Sequence, residues 1–154
     1  MRNINVIALC ICALPLAASA GTYEERAIAS VLMGEAWSDG RPGMTAVAEV
    51  IHQRTVEKKE APFQVISAHR GRVHAFSCLN GTTINQLIEK FDIQPGYNDA
   101  LQLAKLVCRS PERLPGMACS ANHYTRVDER PYWARGKRPV AIIGNHAFYR
   151  LEHY

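Results

Sequence analysis

The chain has 154 residues, enough for one domain with a real core and too few for two. Its formal net charge is only +4 and its basic residues look scattered, so no nucleic-acid partner is expected. No internal repeat and no low-complexity stretch interrupts it.

Arg2, an apolar run over residues 4–14 and the small residues Ala18-Ser19-Ala20 have the three-part form of an export signal. Cleavage is expected after Ala20, leaving residues 21–154 as one exported domain, periplasmic or secreted. The run is short for a bilayer span and nothing later is longer, so no membrane span is expected once the signal is removed. Leu9 before Cys10 is a poor fit to a lipoprotein site, so no lipid anchor is expected.

Thr22 and Glu25 make a capping-box pattern that starts a first helix, which Ser38-Asp39-Gly40 breaks. Pro42 marks a second helix, with Met44, Val47, Ala48 and Ile51 on one face and an end near Lys58-Lys59. Thr83 and Gln86 cap a third, with Ile84, Leu87, Ile88 and Phe91 inward; a fourth covers roughly residues 98–108. Residues 140–143 read as a strand, Gly144-Asn145 as a two-residue turn and residues 146–150 as the return strand, with residues 120–126 as a third. Helices followed by a small C-terminal antiparallel sheet predict an α+β domain, mostly helical, with a cleft between the two parts.

Cys78, Cys108 and Cys119 remain after the signal, and export permits a disulfide. Cys108 with Cys119 is the first pairing to consider, Cys78 with Cys119 the next, and three unpaired buried thiols the alternative. No C-x-x-C pair suggests a metal site.

Glu35 carries the most chemistry. It follows Ile28 by seven residues and Val31 by four, so its carboxylate is expected along the apolar stripe of the first helix. Desolvation there would favour the protonated form, which a general acid for glycoside cleavage needs.

Three segments repeat a known order. They are Gly34-Glu35-Ala36 with Asp39, Gly43 and Ala46-Val47-Ala48-Glu49-Val50-Ile51-His52-Gln53-Arg54; Phe76-Ser77-Cys78-Leu79-Asn80-Gly81; and Ala121-Asn122-His123-Tyr124, Trp133, then Ile143-Gly144-Asn145-His146-Ala147-Phe148-Tyr149. This resembles the cell-wall hydrolase family typified by the spore-cortex-lytic enzyme SleB, over about residues 24–150. The resemblance implies a lysozyme-like scaffold and cleavage of peptidoglycan glycan strands between N-acetylmuramic acid and N-acetylglucosamine, by lytic transglycosylase chemistry. It aligns Glu35 with the family's catalytic Glu. Two departures stand out: Asp39 where the family often has a second Glu, and His52-Gln53-Arg54 in place of the usual Leu/Val-Asn-Arg.

Substrate-binding candidates are Asp39, Ser77, Asn80, His123, Tyr124, Trp133, His146 and Tyr149. Aromatic faces suit pyranose rings, and hydroxyl or imidazole groups suit sugar substituents. Competing roles are a helix cap for Asp39, turn chemistry for Ser77 and Asn80, core packing for the tyrosines and a hydrogen-bonded structural role for His146. Arg54, three residues after Ile51, is expected to orient Glu35 or to tie down a loop, the structural role being favoured. The expected partner is the glycan strand, the expected state a monomer, and no cofactor or metal is required. The alternatives are a hydrolytic lysozyme on the same bond, a zinc-dependent amidase using His123, His146 and an acid, although no H-E-x-x-H occurs, and a non-enzymatic wall-binding or inhibitor module.

Overall fold

The computed structural model describes residues 21–152; the proposed export signal over residues 1–20 lies outside them. Helix α1 (Tyr23–Ala36) opens with the capping box: the Thr22 hydroxyl accepts from Glu25 N–H at 3.2 Å, and Glu25 Oε2 accepts from Thr22 N–H at 2.9 Å. It is a central helix rather than a surface one. Ala27 through Met33 are all buried, because α2, α4 and α5 pack around it. A 3₁₀ turn (Trp37–Asp39) joins it to α2 (Gly40–Lys58), which begins two residues before Pro42. Gly43 through Ile51 are buried without interruption, not on one face alone, since α1, α3 and α5 enclose the helix.

The stretch between Lys59 and Thr83 shows no periodicity in the sequence, yet it folds. It forms a short helix α3 (Pro62–Ser67), a hairpin of β1 (His69–Arg70) and β2 (Val73–His74), and a 3₁₀ turn over Ser77–Leu79. Helix α4 (Ile84–Phe91) has the Thr83–Gln86 capping box, and α5 (Tyr97–Arg109) follows. Strands β3 (His123–Arg126), β4 (Ala141–Ile143) and β5 (His146–Tyr149) form an antiparallel sheet in the order β3-β5-β4. Gly144-Asn145 turns β4 into β5, and the register pairs Tyr124 with Phe148 and Arg126 with His146. The fold is α+β and lysozyme-like, helical with a small C-terminal sheet.

One buried network ties the layers together. Arg54 Nε donates to the Asn122 carbonyl at 2.7 Å, with its guanidinium over the Phe76 ring at 5.1 Å. The Asn122 side chain donates to Glu57 and to the Leu151 carbonyl and accepts from Leu151 N–H. Arg54 thus ties α2 to the segment entering β3.

The disulfide expectation is corrected, because all three cysteines are free. Cys78 packs beneath Gly34 of α1, Cys108 sits on α5 near Glu24 and Glu25, and the exposed Cys119 directs its thiol to the Met117 carbonyl. Burial pushes the Cys108 thiol up to about 12, with the Glu24 and Glu25 charges adding to it; burial also raises Cys78, where Glu35 contributes.

Candidate active site

The last turn of α1 carries Gly34 and Glu35 to the edge of the helical layer. A Cβ on Gly34 would lie 2.7 Å from Cys78 Cβ, so only glycine lets the Ser77–Leu79 turn dock this closely. That approach delivers the Cys78 backbone N–H to Glu35 Oε1 at 2.7 Å and the Ser77 hydroxyl to the same oxygen at 3.2 Å. From the opposite wall, the Tyr124 hydroxyl on β3 donates to Oε2 at 2.8 Å. Burial, reinforced by the Glu35 charge, raises the Tyr124 hydroxyl well above its ordinary value, so it remains a donor. The carboxylate therefore leaves the apolar stripe on which its spacing placed it. It is half-buried and oriented by three donors from two distant segments.

Glu35 borders a cleft of about 470 Å³ between α1 with the Ser77 turn and the sheet with its long β3–β4 loop. Ser77, Tyr124, Trp133 and His146, all read from the sequence, line it with Glu35. The other four candidates lie elsewhere, each for a visible reason. Asn80 accepts from His74 N–H at 2.9 Å and closes its own turn. His123 and Tyr149 back Trp133 from behind, with ring centroids 5.2 and 5.4 Å away. Desolvation, and next the Arg54 charge, bring His123 down to about 4, so it stands neutral with Nδ1 3.1 Å from the Asn122 side-chain oxygen.

Asp39 is the fourth. Its side chain is 1% exposed and does not cap α2; Oδ2 pairs with His146 Nδ1 at 2.6 Å and Oδ1 accepts from Asn145 N–H at 3.0 Å. Gly144, at φ +57°, makes this possible: a Cβ there would fall 2.4 Å from Asp39 Cγ. With Nδ1 taken, Nε2 is the nitrogen His146 has left for the cleft its ring lines.

Sequence reasoning missed Ser38, Thr125, Arg126 and Glu129, which also line the cleft, as does Arg54. Glu129 is the consequential omission, a second carboxylate that accepts from the Thr125 hydroxyl at 3.1 Å. It sits in an irregular loop with no periodic signal. Among the described residues no three His, Cys, Asp or Glu side chains are grouped to hold a metal ion.

Searches of curated proteins and of solved structures returned no match. A scan against family models matched the family described as Cell Wall Hydrolase over residues 38–149. The matched span holds Ser77, Cys78 and Tyr124, the three donors to Glu35, while Glu35 itself lies three residues ahead of it. With most of its length inside the matched span, the chain belongs to the cell wall hydrolase family, and the polymer it acts on is peptidoglycan.

Proposed function

We propose that the protein is a lytic transglycosylase that cuts the glycan strand between N-acetylmuramic acid and N-acetylglucosamine, with Glu35 as the acid and then the base. The protonated Glu35 gives its proton to the bridging oxygen. The bond from that oxygen to muramyl C1 breaks, and the N-acetylglucosamine side leaves as an alcohol. The Glu35 carboxylate then removes the proton of the muramyl 6-hydroxyl as its oxygen closes on C1, giving a 1,6-anhydro sugar without consuming water.

The observation that carries this reading is the Glu35 carboxylate held at the cleft by Cys78 N–H and the Tyr124 hydroxyl. The sequestration of Asp39 supports one-carboxylate chemistry, since a buried side chain committed to His146 and Asn145 is withheld from substrate. A second reading has its own support. Glu129 lines the same cleft, and a hydrolytic muramidase needs a second carboxylate there. Digestion of purified peptidoglycan with product masses separates them. Anhydro-muramic ends that persist in Glu129→Gln and vanish in Glu35→Gln are the expected result; reducing muramic ends lost in both variants would establish the muramidase instead. The same proposal takes residues 1–20 as a cleaved export signal and residues 21–154 as the catalytic domain, which N-terminal sequencing of the exported protein checks.

A further inference from the structure

Most of the 18 basic residues are scattered along the chain, but four of them gather in one loop. Residues 130–138 hold four cations, Arg130, Arg135, Lys137 and Arg138, and no acid, so this segment carries a formal +4, equal to the net charge of the whole chain. It lies in the 14-residue connection between β3 and β4. A 3₁₀ turn over Tyr132–Ala134 sorts its aromatics. Trp133 turns inward onto His123 and Tyr149, while Tyr132 stands 86% exposed with the Arg135 guanidinium 5.8 Å from its ring centre.

A second pocket of about 760 Å³ lies beyond this turn, lined by Tyr132, Trp133, Arg135, Lys137, Arg150 and, as its single acid, Glu152. Arg150 is committed to Glu57 and the Ser120 carbonyl. Among the described residues Arg135 and Lys137 have no acidic partner. Trp133 borders both this pocket and the cleft that holds Glu35.

We propose that this second pocket is a subsite for the stem peptide of peptidoglycan, with Arg135 and Lys137 binding its carboxylates. The inference rests on the glycan-strand reading of the Glu35 cleft. The sugars of that strand need no cations, whereas the peptide that branches from muramic acid is acidic. A strand seated at Glu35 carries that branch covalently, so the branch reaches a neighbouring pocket at no further cost in translational freedom. Two unpaired cations beside an exposed aromatic ring match a carboxylate-bearing peptide.

The test compares stem-bearing, uncrosslinked glycan strands with the same strands stripped of their peptides by an amidase. Wild type, Arg135→Gln/Lys137→Gln and a control, Arg70→Gln/Arg72→Gln on the β1–β2 hairpin, are each measured for kcat/KM on both substrates. The expected result is that wild type and control prefer stem-bearing strands and that the loop variant loses about tenfold of this preference, as loss of charge-assisted bonds implies. The proposal is overturned if wild type shows no preference, if the loop variant keeps it, or if the control loses it equally. Co-sedimentation of each Glu35→Gln derivative with both strand types gives the same comparison without turnover. Stem-dependent binding lost only in the loop variant sustains the subsite even if the glycosidase reading fails.

Discussion

The Tyr124 hydroxyl donates to Glu35 Oε2 at 2.8 Å across 89 residues of sequence, joining the sheet to the end of the first helix at the candidate acid. Tyr124→Phe keeps the ring that packs on Phe148 and His146 and removes this bond alone. Mislocating a general acid is expected to cost about 10- to 100-fold in kcat, within the range that proton transfer contributes. Turnover of purified peptidoglycan checks this, with Tm moving by only a few degrees because one hydrogen bond is worth about 1 kcal/mol.

Gly34→Ala sets two effects against each other. Alanine favours an isolated helix by about 1 kcal/mol. Here its Cβ would meet Cys78 Cβ at 2.7 Å and push the Ser77–Leu79 turn away, withdrawing the N–H that Glu35 Oε1 accepts. The close contact wins, so activity is expected to fall about 100-fold or more while far-ultraviolet circular dichroism stays native. A fully active Gly34→Ala protein would show that the turn yields without consequence.

Asp39→Ala leaves the buried His146 Nδ1 without its partner and returns the exposed Asn145 N–H to water. Stranding one buried polar group costs about 1–3 kcal/mol, so a Tm drop of roughly 5 °C is expected. Asp39→Asn recovers part of it by accepting from Asn145. A thermal melt of the three proteins decides the order.

His123 gives a pH signature. Its folded value of about 4 lies below its ordinary 6.5, so its contribution to stability is complete above 6.5 and is lost as pH falls toward 4. The unfolded chain takes up the proton first, which favours unfolding in that window. Wild type is expected to lose a few degrees of Tm between pH 6.5 and 4 from this group, discounted because the ring is partly exposed. His123→Gln has a flatter melt profile over the same window.

The free cysteines make two measurements simple. Tm is expected to be the same with and without reductant, and brief alkylation of the native protein to add one adduct, at the exposed Cys119. A reductant-sensitive melt would restore a disulfide.

Local signals carried much of the fold. The Thr22–Glu25 and Thr83–Gln86 boxes start the helices they mark, because a cap is a short-range hydrogen bond that neighbouring residues alone decide. Gly144-Asn145 likewise sets the β4–β5 register. The β1–β2 hairpin and α3 were illegible, being too short to show a period. Part of the candidate cleft was legible through the order of the three motif segments, which include Glu35, Ser77, Tyr124, Trp133 and His146. The partner of Asp39 and the presence of Glu129 were not. Their roles depend on which residues lie across the fold, and Asp39 meets a partner 107 positions away while Glu129 lies in a loop without periodicity.

The grip on Glu35 comes from the middle of the chain and from its last third, onto a residue near the start of the domain. No truncation ending before residue 124 can complete it. The arrangement exists only in the finished domain, so an incomplete translation product carries the carboxylate without the geometry that aims it.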